Sequence, residues 1–190
     1  MDSAETILLE IERSKTKGYL PIIGPGRGKI LDDAIRRSKA KRILEVGTLV
    51  GYSAIRMARL LPVDGSVTCV EVDAKMAKTA ELNISRAGLS DRIRVLVGDA
   101  RSVIPTLGGP FDMVFLDATK NQYHTYLKLV EDKLHRGSIV VADNAGVFAL
   151  EMKDYLEYVR DSGKYSSEYF EPDVISSGYE KDGVEVSMKL

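Results

Sequence analysis

Arg42-Ile-Leu-Glu-Val-Gly-Thr-Leu-Val-Gly-Tyr-Ser53 decides how the rest of the chain is read. Ile43, Leu44 and Val46 form a short apolar run, as expected of a strand buried on both faces of a parallel sheet. Gly47 and Gly51 then bracket a tight turn, and Tyr52 to Leu61 reads as a helix. Such a strand–turn–helix unit places backbone N–H groups and a helix N-terminus beside a ligand. The spacing is Gly-x-x-x-Gly, not the Gly-x-Gly-x-x-Gly that lets backbone approach a pyrophosphate. Glu45 at the strand end would repel a diphosphate but attract an ammonium or a ribose hydroxyl. The turn therefore points to a cofactor with a nucleoside and an amino acid, S-adenosylmethionine. A turn that merely connects two elements is the alternative this loop alone leaves open.

Outward from the turn, strands and helices alternate. Ser66–Val72, Ile93–Asp99, Phe111–Asp117 and Gly137–Asn144 read as further strands. Helices are expected over 74–87, closed by Gly88, and over 102–107, 122–134 and 150–161. Upstream, 4–14 suits a short amphipathic helix. Pro25 opens a second one that runs to Ser38, with Ile30, Leu31, Ala34 and Ile35 as its buried stripe. Two late strands, near 166–170 and 184–189, suggest a closing hairpin. The fold class is α/β: a Rossmann-like, mostly parallel seven-stranded sheet with an antiparallel edge strand and helices on both faces. Residues 1–190 form one domain in this reading, with 1–40 as a helical segment over the active site.

The 190 residues allow one well-developed core, with 44% apolar and 29% charged residues. A net charge of −1 gives no global field for nucleic acid. No signal peptide or membrane span is legible, which makes a soluble, cytoplasmic protein the expectation. Cys69, the single cysteine, sits in an apolar run as a core thiol.

Carboxylates recur at the carboxyl ends of the strands: Glu45, Glu71, Asp99, Asp117 and Asp143. In such sheets that edge binds ligands, although any one of these residues also suits a helix cap. Glu71 stands about 25 residues beyond the glycine turn, where a doubly wound fold presents an acid to a ribose. Asp117 with Asp143-Asn144 offers hard oxygen ligands on neighbouring strands, suited to Mg²⁺ with room for waters and substrate oxygens. His124 and His135 are isolated and read as surface residues. Lys120 follows Asp117 by three residues. At a helix start it opposes the dipole, whereas beside a divalent cation its pKa falls and it can take a proton from a nearby hydroxyl.

At these residues the sequence resembles the catechol O-methyltransferase family, within the cation-dependent O-methyltransferases. The resemblance runs from about Gly24 to Gly183 and is carried by Glu45 to Leu61, by Asp112 to Asp117, by Lys120 and by Val141-Ala-Asp-Asn144. It implies that Ile23, Glu45, Gly47, Thr48, Gly51 and Ser53 surround the methionine part of the cofactor. Glu71 and Val72 would meet the ribose, and Asp99, Ala100 and Arg101 the adenine, with Asp117 also bordering the cofactor. Asp117, Asp143 and Asn144 would hold Mg²⁺, and Lys120 would be the general base. The acceptor side departs from the animal enzymes: Ala118 and Thr119 stand where a His-Trp pair is expected. Tyr19 stands near another tryptophan position and Phe148 near a proline. Glu171 is the candidate for the family's C-terminal glutamate.

The expected acceptor is a small catechol-like phenol. A second reading methylates hydroxylated uridine in tRNA through the local basic cluster Arg27, Lys29, Arg36, Arg37, Lys39, Lys41 and Arg42. A nicotinamide-dependent dehydrogenase lacks its glycine pattern here, and a cofactor-binding module without catalysis would not need the metal residues or Lys120. The N-terminal helix either pairs with a second subunit in a homodimer or folds over its own active site.

Overall fold

The computed structural model describes residues 2–15, 20–172 and 182–190. Its strands are β1 (Arg42–Val46), β2 (Ser66–Glu71), β3 (Ile93–Val97), β4 (Phe111–Leu116), β5 (Leu134–Asp143), β6 (Tyr165–Phe170) and β7 (Val184–Lys189). The helices are α1 (Ser3–Lys15), α2 (Gly24–Ser38), α3 (Tyr52–Leu60), α4 (Ala74–Arg86), α5 (Ala100–Val103), α6 (Tyr123–Val130) and α7 (Lys153–Asp161). All seven strands share one sheet in the order β3-β2-β1-β4-β5-β7-β6. β1 to β5 pair in parallel, and β7 runs antiparallel to β5 on one side and to β6 on the other. The edge strand β6 thus pairs antiparallel, as expected, with β7, which is inserted between it and β5.

The two-residue period of β1 divides the core. Ile43 packs on one face with Phe115 and Val141 beneath α1 to α4, where Ile7, Leu31, Ile55 and Ile84 are buried. Leu44 and Val46 face the opposite side with Val114 and Val140 under α6 and α7, against Tyr123, Leu127, Tyr155 and Val159. Each such large apolar side chain contributes about 1.5–3 kcal/mol relative to exposure. Cys69 is a buried free thiol, as expected. α1 lies on its own chain: Tyr52 Oη donates to Glu12 Oε1 at 2.6 Å, and Arg86 pairs with Glu10 at 2.7 Å.

Three expected helices are displaced. The segment read as one helix over 122–134 is a 3₁₀ turn at Lys120–Gln122, then α6, then a second 3₁₀ turn at Glu131–Lys133. β5 begins at Leu134 rather than Gly137, because Leu134 pairs with Phe111 across a register shift in β4. Ser138 Oγ stitches that irregularity, accepting from the His135 N–H at 3.0 Å and donating to the Phe111 carbonyl at 2.8 Å. The helix expected over 102–107 starts earlier, since Asp99 caps it by accepting from the Arg101 N–H, and passes into a 3₁₀ turn at Ile104–Thr106. The helix expected over 150–161 begins only at Lys153.

The β1 turn is fixed by close backbone approach. Gly47 takes φ +89, and a Cβ placed on it would lie 2.2 Å from the Asp117 carbonyl oxygen. The ladder continues past the strand ends, with Gly47 N–H donating to Val70 O and Asp117 N–H to Val46 O, both at 2.9 Å. Gly47→Ala should therefore destabilise the fold by more than about 2 kcal/mol, adding a clash with backbone to the left-handed penalty. Urea unfolding of the variant checks this, and a loss below half that size would mean that the turn yields.

Candidate active site

A cleft of about 980 Å³ opens at the carboxyl ends of β1, β2, β4 and β5. Of the residues expected from sequence, Ile23, Gly47, Thr48, Ser53, Glu71, Val72, Asp99, Ala100, Arg101, Asp117, Lys120, Asp143, Asn144 and Phe148 line it. Glu45, Gly51 and Glu171 do not, and Tyr19 lies outside the described residues. Gly51 instead caps α3 at φ 85. Glu171 is exposed beyond the end of β6.

Glu71 organises the turn. Its Oε2 accepts from the N–H groups of Thr48 (3.2 Å) and Leu49 (2.8 Å), and its Oε1 from that of Asp73 (2.9 Å). Leu49 sits at φ 50, a left-handed conformation that an L residue adopts only when its surroundings impose it. The carboxylate holding its N–H is part of that imposition. Asp99 takes the helix-cap role that its place after a strand allows. It caps α5 and pairs with Arg101 at 2.5 Å, which holds its carboxyl down at about 2.

Glu45 lies one layer beneath the cleft wall. The strand period turns it toward α3, where it is fully buried and its Oε1 accepts a short hydrogen bond from Ser53 Oγ. Burial pushes its carboxyl up to about 7, against the nearby Ser53 and Thr48 hydroxyls and the Cys69 thiol, which favour the charged form. Glu45 Oε2 and Thr48 Oγ1 have no hydrogen-bond partner, which buried polar atoms rarely tolerate unless something else meets them.

On the other wall, Lys120 Nζ donates to Asp117 Oδ1 at 3.0 Å and to Tyr123 Oη at 2.8 Å. Tyr123 is buried and was not picked out from sequence, where its place after Gln122 reads as ordinary helix. Asp143 is buried, and that burial, followed by the neighbouring Asp117 charge, raises its carboxyl despite Arg27 and Lys120. Asn144, at φ 65, donates its Nδ2 to Asp182 Oδ2 at 2.6 Å, which leaves the amide oxygen as an acceptor.

Arg27 and Asp182 also line this wall and were missed as site residues. Arg27 was read as one of a basic face. Instead it turns inward, with Nε 2.7 Å from Asp143 Oδ1, Nη2 3.2 Å from Oδ2 and Nη1 2.9 Å from Asp182 Oδ2. The Nε approach is close but poorly aligned, so Arg27 Nε and Asp143 Oδ1 both lack a hydrogen bond. Most of the remaining basic cluster is engaged internally. Lys29 and Arg36 pair with Asp33, Lys41 with Asp64, Arg42 donates to Gly108 and Gly109 carbonyls, and Arg37 lies over the Phe170 ring. His124 and His135 lie away from the cleft, His135 pairing with Asp112 at 3.0 Å.

A model of the O-methyltransferase family matches residues 2–154, and the chain belongs to that family. It is 41% identical over 143 residues to a catechol O-methyltransferase of Niastella koreensis, covering 72% of this chain and 65% of that protein. It is 35% identical over 170 residues to the catechol O-methyltransferase of Mus musculus, covering 84% of this chain and 63% of that protein. The chain thus spans just under two thirds of the length of these relatives. Among solved structures it is similar to an O-methyltransferase from Bacillus cereus in complex with SAH. That match has a TM-score of 0.83 at 25% identity and covers 100% of this chain and 92% of the other. An O-methyltransferase from Streptomyces achromogenes in complex with SAM matches with a TM-score of 0.82 at 27% identity, covering 96% and 89%.

The raised carboxyl of Glu45 gives a signed prediction for the ligand-free protein. Its effect on stability is absent below its ordinary value of 4.5 and grows to a penalty as pH rises through 7, reaching roughly 3 kcal/mol at most. Glu45→Gln should therefore gain on the wild type at pH 8 relative to pH 5 in urea unfolding. An equal difference at the two pH values would show that Glu45 is ionised throughout.

Proposed function

We propose that this chain is an S-adenosylmethionine-dependent O-methyltransferase that methylates a hydroxyl of a small catechol-like acceptor with the help of Mg²⁺. The carrying observation is the wall on which Lys120, Asp117, Asp143 and Asn144 converge, across one cleft from the Glu71-braced turn. The family, and relatives named catechol O-methyltransferase, support the same reading.

The residues fit both groups. Glu45 Oε2 and Thr48 Oγ1 are unmet polar atoms beside Ser53, suited to the methionine end of the cofactor. Glu71, Asp99, Ala100 and Arg101 border the nucleoside side. Asp143 Oδ1 is an unmet oxygen beside the Asn144 amide, and Asp117 adds a second carboxylate. Among the described residues, no three His, Cys, Asp or Glu side chains group tightly enough to hold a metal alone. An incomplete set of this kind, finished by waters and acceptor oxygens, is typical of Mg²⁺.

When bound, the cofactor supplies an electrophilic sulfonium methyl, and a divalent cation lowers the pKa of an adjacent hydroxyl. The chain's own part is positioning and proton removal. Asp117 and Tyr123 fix Lys120 Nζ at the cleft wall, where it would receive the acceptor's hydroxyl proton. Leu20, Ile22 and Ile23 line the cleft from the N-terminal segment, an apolar wall that would limit water near the reacting atoms. In this proposal residues 1–190 act as one catalytic domain, with 1–40 as its cover. No helix among the described residues is long and apolar enough to cross a membrane, which fits the cytoplasmic setting we propose. Asp33 and Asp64 interleave with the basic cluster and weaken its positive field, which favours the small phenol.

Labelled methyl transfer to catechol should require a divalent cation and disappear with a chelator. Transfer that survives chelation would remove Asp117, Asp143 and Asn144 from this role. Lys120→Ala should lower turnover by about 100-fold or more while adenosylhomocysteine binding by calorimetry stays within a few-fold. Wild-type turnover in that variant would refute the base.

A further inference from the structure

We propose that Arg27 is a built-in cation that holds Asp143 in the metal-free chain and yields it to the divalent ion by moving onto Asp182, so that Arg27 sets the affinity of the metal site. The inference rests on the metal reading above.

Three observations carry it. Arg27 reaches both oxygens of Asp143, at 2.7 and 3.2 Å, so the carboxylate expected to bind metal is already faced by a positive group. All three partners are withdrawn from water: the side chains of Asp143 and Asp182 are 2% exposed and that of Arg27 17%. A divalent ion seated on Asp143 would stand beside that guanidinium, and two positive groups in a partly desolvated wall repel. Finally, Asp182 offers a second anchor. It takes Arg27 Nη1 at 2.9 Å and is itself held by Asn144 Nδ2 at 2.6 Å and the Val147 N–H at 3.3 Å.

Arg27 opens the first turn of α2, just after the Ile22–Ile23 wall of the cleft. Its shift on metal binding would therefore tie the seating of the ion to the segment that covers the cofactor. Arg27 is a positioning residue here, and the alternative role is that of a brace which pre-orients Asp143 for the metal. The two roles predict opposite signs.

Mn²⁺ binding to the whole chain, read from the electron paramagnetic resonance of the free ion, separates them without relying on turnover. Arg27→Met should bind Mn²⁺ about tenfold more tightly, and its melting temperature should rise more on adding Mn²⁺ than that of the wild type. Asp182→Asn, which keeps Arg27 but removes its second anchor, should bind a few-fold more weakly than wild type. In the Arg27→Met background the same Asp182→Asn change should have no effect. Unchanged or weaker binding by Arg27→Met would overturn the proposal and leave Arg27 as a brace. A loss on Asp182→Asn that persists in the double variant would overturn it too, making Asp182 a ligand. If wild type and Arg27→Met both fail to bind Mn²⁺, the metal reading falls and this inference with it. Binding abolished by Asp117→Asn but unaltered by Arg27→Met would leave the metal reading intact and refute this inference alone.

Discussion

The approach of Gly47 to the Asp117 carbonyl is the contact on which the site depends. Two parallel strands can end side by side with their functional groups in register only if the turn leaving the first does not push the second away. Glycine meets that condition, with φ +89 and no Cβ where the neighbouring backbone passes. The connections after β1 and β4 then leave in opposite directions, β2 and β3 to one side and β5 to the other. The crevice between them is the place where an open α/β sheet takes its ligand. Glu71 braces the cofactor side of that crevice through backbone N–H groups, and Lys120 and Asp117 stand on the other side.

Burial alone does not distinguish a working carboxylate from a structural one in this fold. Glu185 is as buried as Glu45 and Asp143, but Arg160 meets it with two bonds at 2.9 and 2.7 Å and Ser167 with a third at 2.7 Å. Its charge is fully answered within the sheet. Glu45 Oε2, beneath the cleft wall, has no hydrogen-bond partner, and Asp143 Oδ1, in the wall, meets Arg27 only in a poorly aligned ion pair. Because an unmet buried oxygen costs about 1–3 kcal/mol, the chain keeps such atoms where a ligand can answer them. The same reasoning assigns Leu49 and Asn144, both in left-handed backbone, to functional turns rather than to accident.

Strand-borne features were legible because they are local. The apolar runs, the glycine turn and the acids at strand ends follow from a two-residue period and a few turn residues, and they located β1 to β5 and most of the cleft. The same period also placed Glu45 on the helix-covered face rather than in the wall, a consequence that its position at a strand end does not reveal. Helix limits were less legible, since the start of β5 at Leu134 depends on pairing with Phe111 across a bulge. Arg27 was illegible as a site residue. In sequence it is one cation among seven, and its partners lie 116 residues away at Asp143 and still further at Asp182. The most informative hint was its place after Pro25-Gly26, which fixes a first helical turn at the sheet's ligand edge.

The division between legible and illegible residues matches a division of labour. The side proposed for the cofactor is built by β1, β2 and the turns that follow them, so its chemistry is written in strand grammar. The acceptor side is assembled from Leu20–Ile23, from Ala118 and Thr119, from Phe148 and from Asp182, all in segments that join or precede the regular elements. Arg27 links them: it starts α2, grips Asp143 at the end of β5 and reaches Asp182 just before β7. On the proposed reading, a substitution in any one segment would alter how the others meet the ion as well as how they meet the phenol. Acceptor choice and metal affinity would then be coupled through that one guanidinium, and a change in acceptor would draw on both at once.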